Sequence, residues 1–251
     1  MKLLLHSCCA PCTLEPYRLL KEAGHSIVLH YANSNIQPKE EYDLRLHTLK
    51  AWAENERIEV LEESYDAKLW QASAGKITAC ANENDAASNR QQRCQACYRF
   101  RLAQTAKKAK ELGFDAISTT LSVSPWQYTS IIQQELERAS CVSGVKSIFQ
   151  DFTPYYKNAT LQSRQLKMYR QNYCGCLISK HEAQTEREQR KKERTAQKAA
   201  WRAEHTAELA KAQKELEQKR SEKRAYNEKQ AKKHEILRKL RLEQKQNEAS
   251  K

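Results

Sequence analysis

Lys2-Leu3-Leu4-Leu5-His6-Ser7-Cys8-Cys9-Ala10-Pro11-Cys12 is the stretch on which the fold turns. A short apolar run that stops abruptly at polar and sulfur-bearing side chains is the pattern of a buried strand delivering a functional loop. No Gly-rich cradle follows it. The chain holds neither G-x-x-x-x-G-K-[ST] nor G-x-G-x-x-G, so the backbone amides that would grip a nucleotide's phosphates are missing. Nucleotide-dependent catalysis is therefore disfavoured, and chemistry at this loop should run on metal and sulfur.

Working outward, strands and helices alternate. Thr13 to Ala23 has helical spacing (Leu14, Tyr17, Leu20, Ala23) and stops at Gly24. Ser26 to Ala32 reads as a second strand that runs into the polar loop Asn33 to Pro38. Glu40 to Asn55 is a helix with Tyr42, Leu46, Leu49 and Ala53 on one face, and Ile58 to Leu61 a third strand. Ala67 to Trp70 is helical, and Ala79 to Arg93 is expected to form a mobile loop. Tyr98 to Leu112 is a helix ending at Gly113, Ala116 to Thr120 a strand, and Trp126 to Ala139 a further helix. This alternation implies βαβ units: an α/β fold with a mostly parallel sheet and flanking helices, Rossmann-like or HUP-like. Ligand sites in such sheets lie at the carboxyl ends of the strands, where the Cys8 loop belongs.

Charge divides the chain. Residues 1–180 hold 23 Lys+Arg and 18 Asp+Glu, a net of +5; residues 181–251 hold 21 Lys+Arg and 13 Glu, a net of +8. Every Gly, Pro and Cys lies in the first part. The expected domains are thus an α/β domain over 1–180 and a basic, Lys/Glu-rich helical or partly disordered extension over 181–251. Trp201, Leu209, Leu216 and the Ile236 to Leu242 group are too sparse for a heptad seam. The extension is either a solubilising tail or a basic arm that adds RNA affinity through phosphate contacts. No stretch approaches the roughly 20 apolar residues of a membrane helix, and no secretory leader is evident. Reduced thiols in a cytoplasmic protein are the expectation.

The nine cysteines fall into groups. Cys8, Cys9 and Cys12 form C-C-x-x-C after the first strand, and Cys94 and Cys97 form C-x-x-C before the Tyr98 helix. Cys174 and Cys176 flank Gly175; Cys80 and Cys141 stand alone. A C-x-x-C turns two sulfurs toward one ion, and two such groups supply four thiolates, enough for a tetrahedral zinc or an iron–sulfur cluster. A zinc that pins two loops is the plain alternative. Adjacent Cys8-Cys9 is unusual for a zinc knuckle, and the strand-end position tilts toward chemistry. Cys174-Gly175-Cys176 is either incidental or able to close a strained, labile disulfide.

Leu3 to Cys12, the Asn33 to Tyr42 loop, Cys94-Gln95-Ala96-Cys97-Tyr98-Arg99-Phe100-Arg101-Leu102, Gly113-Phe114-Asp115, Thr119-Thr120-Leu121-Ser122 and Tyr169-Arg170-Gln171-Asn172-Tyr173-Cys174-Gly175-Cys176 together resemble the epoxyqueuosine reductases of the QueH type. The resemblance spans residues 3–176 and does not reach the tail. It departs at Arg93, where the family pattern has Gly, and at Thr153, where it has Arg. Neither departure removes a thiol.

The resemblance implies an oxidoreductase that reduces epoxyqueuosine to queuosine in the anticodon loop of tRNA, the last step of queuosine biosynthesis. By position it implies that Cys8, Cys9, Cys94 and Cys97 ligate a 4Fe–4S cluster and that Cys174 and Cys176 are a redox-active disulfide pair. It also implies a second metal ion, iron or zinc, with Cys12 the candidate ligand. The electron donor is unknown. Asp151 and Tyr155 are candidate proton donors or structural residues, and His6 a candidate hydrogen-bond partner of the sulfurs.

Arg90, Arg93, Arg99 and Arg101 offer phosphate partners, and Tyr98 or Trp126 offers a stacking platform for an unpaired base. Tyr98, Arg101 and Trp126 are the expected substrate contacts, with core packing as the alternative for the aromatics. Two other functions compete. An iron–sulfur tRNA thiolation enzyme would need an ATP-binding S-G-G-x-D-S loop where Cys8 to Cys12 stands. A zinc-stapled, non-enzymatic RNA-binding protein leaves Cys174-Gly175-Cys176 without a purpose.

Overall fold

A computed structural model describes residues 1–78 and 86–249. At its centre is a five-stranded sheet: β1 (Lys2–His6), β2 (Ser26–Tyr31), β3 (Val60–Glu62), β4 (Ala116–Thr119) and β5 (Lys146–Ser147), in the order β3-β2-β1-β4-β5. All four pairings are parallel, with Leu4 opposite Val28 on one side and Ile117 on the other. Strand order reverses between β1 and β4, which makes their carboxyl ends the crevice where this architecture keeps its ligands.

Leu3, Leu4 and Leu5 are all fully buried because β1 is covered on both faces. Leu3 and Leu5 point into a layer with α1 (Ala10–Glu22), α2 (Lys39–Asn55) and α6 (Tyr156–Gln165). Leu4 points the other way, into α4 (Ala86–Glu111) and α5 (Thr129–Ser143). Alternating side-chain direction along a strand thus splits the core into two layers. A third, small cluster joins Trp70 and Ala74, at the end of α3 (Ala67–Ser73), to Cys97 and Cys176.

Several boundaries differ from the sequence expectation. Residues 86–93 are not loop but the opening of α4, so Cys94 and Cys97 lie inside a helix rather than before it. No Gly or Pro occurs between Gly75 and Gly113, and nothing stops the helix from extending back. Residues 79–85, with Cys80, lie outside the described residues. Helix α1 likewise begins at Ala10, with Pro11 in its first turn, so Cys12 is helical. Helix α5 begins at Thr129, leaving Trp126 on the loop before it, and ends at Gly144, whose φ of 77° favours glycine. Strand β5 and helix α6 were not legible in advance; β5 has only two residues.

The chain forms two compact units, Met1–Gln184 and Thr185–Lys251. Helix α7 (Leu177–Glu204) crosses that boundary and α8 (Thr206–Ala249) follows. In the second unit Trp201 stacks on His205 with ring centroids 4.5 Å apart, and Leu209, Leu216 and Tyr226 are exposed. Among the described residues no helix is long and apolar enough to cross a membrane.

Candidate active site

The carboxyl end of β1 builds the site's first sulfur group. The Cys8 amide donates to Thr120 Oγ1 at 3.1 Å, and that hydroxyl lies 3.4 Å from Cys8 Sγ, which ties the loop to the end of β4. Cys9 is the N-cap of α1, and Cys12 comes back one turn later on the same side. The sulfurs of Cys8, Cys9 and Cys12 lie within 4.8 Å of one another. Gln171 Nε2 donates to Cys9 Sγ at 2.9 Å and lies 3.9 Å from Cys12 Sγ.

Charge is unevenly shared in this group. Hydrogen bonds from the Cys12 and Cys9 thiols hold the Cys8 thiol well below its ordinary range. Burial pushes Cys9 up to about 12. Cys12 is pushed well up because its proton serves the Cys8 sulfur. Cys8 is thus the thiol of the three that gives up its proton most readily, with Cys9 and Cys12 as its hydrogen-bond donors, and a bound cation would draw off the remaining protons. No carboxylate or imidazole joins these three donors among the described residues. An all-sulfur set suits iron–sulfur clusters and zinc, and disfavours magnesium or calcium.

Helix α4 supplies the second group. Cys94, Cys97, Tyr98 and Arg101 recur at helical spacing on one face. Cys94 packs with Cys8 against the layer containing Leu4, and Cys97 is buried beside Trp70 and Cys176. Burial pushes the Cys97 thiol up to about 11, and it raises Cys94 as well.

The third group is held by its backbone. Arg45, buried and paired with Glu41 at 2.8 Å, donates to the Cys174 carbonyl at 2.8 Å and the Tyr173 carbonyl at 3.2 Å. The Gln37 amide donates to the Gly175 carbonyl at 3.0 Å. Cys176 is buried at the start of α7, where the Ser179 amide donates to its sulfur at 3.4 Å. Cys174 is exposed, yet crowding around its sulfur raises the thiol. Gln127 Nε2 donates to Cys174 Sγ at 3.5 Å, and Tyr98 donates its hydroxyl to Gln127 Oε1.

The structure relocates several expected substrate contacts. Tyr98 is 1% exposed, so no face remains for a stacked base; its hydroxyl instead orients Gln127. Arg101 is 2% exposed and donates to Asn33 Oδ1. Arg93 is buried against Glu182 at 2.8 Å, Arg90 lies 3.7 Å from the same carboxylate, and Arg99 binds buried Glu135 at 2.8 Å. These four arginines do not form a phosphate-facing row. Helix phase turned Arg93 and Arg101 inward, and acidic partners from α5 and α7 captured the others. Trp126, by contrast, is 59% exposed and meets Tyr156 edge-on, with ring centroids 5.3 Å apart.

His6 Nδ1 pairs with Thr119 Oγ1 at 3.0 Å rather than with a sulfur. Asp151 accepts from the Thr153 amide and hydroxyl in its own turn, and Cys141 is exposed on α5. Gln127 and Gln171 are the polar residues that sequence reasoning missed. Gln171 lay inside a recognised motif, but nothing in its type pointed to sulfur. Replacing Gln171 with Leu removes the hydrogen bond that orients Cys9, and metal affinity or turnover should fall by about 10–100-fold. Metal retention under chelator challenge checks this, and a wild-type retention curve would refute it.

A family model described as "Epoxyqueuosine reductase QueH" matches residues 3–182. A protein named Epoxyqueuosine reductase QueH from Dehalococcoides mccartyi is 30% identical over 183 residues, covering 72% of this chain and 93% of that one. Its namesake from Streptococcus pyogenes serotype M1 is 29% identical, covering 70% of this chain and 69% of its own. The Thermotoga maritima protein of that name is 31% identical, covering 70% and 88%.

Proposed function

The chain belongs to the epoxyqueuosine reductase QueH family and is an oxidoreductase of queuosine biosynthesis, and from that premise we propose how its three sulfur groups divide the work. In this reading Cys8, Cys9, Cys94 and Cys97 hold a 4Fe–4S cluster, Cys12 contributes to a second ion, iron or zinc, and Cys174 and Cys176 are the redox pair. The substrate is tRNA carrying epoxyqueuosine, met in the cytoplasm. One observation carries the reading most: sulfur motifs distant in sequence are interlocked, Gln171 of the third bonding Cys9 of the first, and Cys176 packing on Cys97 of the second.

Turning an epoxide into an alkene consumes two electrons and two protons and releases water. Bound at these thiols, the cluster would carry single electrons and the second ion would act as a Lewis acid on the epoxide oxygen. Oxidation of the Cys174 and Cys176 thiols to a disulfide yields two electrons and two protons, the stoichiometry the reaction needs. Gln127 holds the Cys174 sulfur, and Tyr98 fixes Gln127. The Ser179 amide at the start of α7 fixes the Cys176 sulfur. Arg45 keeps the segment's carbonyls in place from below.

Trp126 is the aromatic left for stacking an unpaired base. Trp126→Ala should cost about 1–3 kcal/mol of stacking, raising KM for epoxyqueuosine tRNA by roughly 5- to 150-fold. Iron content and the visible spectrum should not change. An unaltered KM would place the base elsewhere.

The whole reading is tested by anaerobic purification followed by iron and sulfide analysis and epoxyqueuosine tRNA turnover. A brown protein with about four irons per chain plus sulfide, active on that tRNA, is expected for a thiolate-held cluster. A colourless protein that holds one zinc after reconstitution with iron and sulfide would overturn the cluster.

A further inference from the structure

Arg101 carries a full positive charge into a place where no carboxylate among the described residues meets it. The other buried arginines each have one: Arg45 has Glu41 and Arg93 has Glu182. Arg101, 2% exposed, has the neutral Asn33 Oδ1 at one end of its fork. Its Nε is buried with no hydrogen-bond partner among the described residues. An unpaired buried cation is strongly destabilising, so a fold that keeps one must supply negative charge by other means.

The neighbours that can do so are sulfurs. Cys97 lies one turn back on α4 and Cys94 two turns back, on the same face. Asn33, which accepts from Arg101, donates to the Ser7 carbonyl at 2.9 Å, beside Cys8. The guanidinium thus bridges α4 and the β1 loop. Its charge acts on Cys8, Cys97 and Cys174, one residue of each sulfur group. Burial excludes an RNA phosphate from the same guanidinium.

We propose that Arg101 is a positioning residue, the fixed counter-cation of the three sulfur groups, which balances the negative charge that accumulates when their thiolates bind metal. The proposal rests on the sulfur groups being the metal seat. A permanent charge is suited to this task because a guanidinium does not deprotonate, whatever proton traffic passes through the site. It also opposes the mutual repulsion of thiolates that a metal must otherwise overcome alone.

The test is a comparison of wild type, Arg101→Gln and Arg101→Lys, each measured metal-free and after anaerobic reconstitution with ferrous iron and sulfide. The rise in Tm on loading should shrink in Arg101→Gln and recover in Arg101→Lys. A role in packing alone would lower both states equally and leave the rise intact, which would overturn the proposal. In loaded protein the cluster of Arg101→Gln should be harder to reduce. A tenfold change in its oxidised-to-reduced ratio at fixed potential is expected, about 59 mV for one electron. Affinity for tRNA should match wild type; lost affinity with an unshifted potential would make Arg101 an RNA contact instead. Zinc alone, offered in a parallel series, keeps the two failures apart. Wild type that binds zinc but takes no iron and sulfide sinks the cluster, while the zinc-induced rise in Tm still reports on Arg101. Where Arg101→Gln does not fold, a folded Arg101→Lys with a wild-type rise supports the charge, and one with no rise refutes it.

Discussion

Cys94→Ala protein is expected to fold, to purify without colour, and to lose more than about a hundredfold in turnover of epoxyqueuosine tRNA. Removing a residue that merely orients a ligand already costs about 10–100-fold, so loss of a ligand should exceed that. The expectation follows from position. Cys94 faces the sulfur side of α4, one turn before Cys97, and packs with Cys8 against a shared apolar layer. Desolvation raises its thiol, so this half-buried sulfur has little to gain from water and much from a metal. Alanine suits a helix, and secondary structure by circular dichroism should be unchanged. Iron, sulfide and absorption near roughly 400 nm are the measurements, since thiolate-held clusters absorb there. A brown and active Cys94→Ala protein would strike Cys94 from the ligand set.

Gly175→Ala should be nearly as damaging, for a steric reason. A Cβ at Gly175 would lie 2.5 Å from Asn35 Nδ2, 3.2 Å from Ile36 Cγ1 and 3.5 Å from the Ile36 backbone. Asn35 and Ile36 are both buried and have nowhere to retreat. The segment cannot easily move the other way, because the Gly175 carbonyl is held by the Gln37 amide and its own amide donates to Ser179 Oγ at 3.2 Å. Overpacking of this kind costs about 1–3 kcal/mol of stability. Displacing the two sulfurs by about 1 Å can cost on the order of a hundredfold in rate. Iron content should survive, since the cysteines proposed to hold the cluster are elsewhere. Adding Asn35→Ala, which removes the clashing amide, should return much of the activity. Thermal unfolding, iron analysis and turnover in the single and double variants decide the matter. A Gly175→Ala enzyme with wild-type turnover would show that the Cys174–Cys176 geometry is not critical.

Much of the fold was legible because its signals are local. The Leu3-Leu4-Leu5 run reads as a short apolar strand, and it is one, covered on both faces. The parallel sheet follows from strands separated by helix-length segments, and the family follows from ordered motifs between Leu3 and Cys176. Errors gathered where an element's start has no local marker. The stretch before Cys94 reads as loop because it is polar and lacks an apolar period. Residues 86–93 are helical nonetheless, and that sets which way every later residue of α4 points.

The amino-acid sequence by itself determined the sulfur donors, the strand that delivers the first of them, and a tail rich in charge and free of Gly and Pro. Those properties depend on residue type and on neighbours a few positions away. Only the tertiary structure decided that Cys12 joins Cys8 and Cys9 within 4.8 Å, that Gln171 and Gln127 reach sulfurs, and that Tyr98 and Arg101 turn inward while Trp126 stays in water. Burial and pairing are set by partners tens to more than a hundred residues away. A helix that starts a few residues earlier or later rotates each side chain by about 100° per position, toward a different partner.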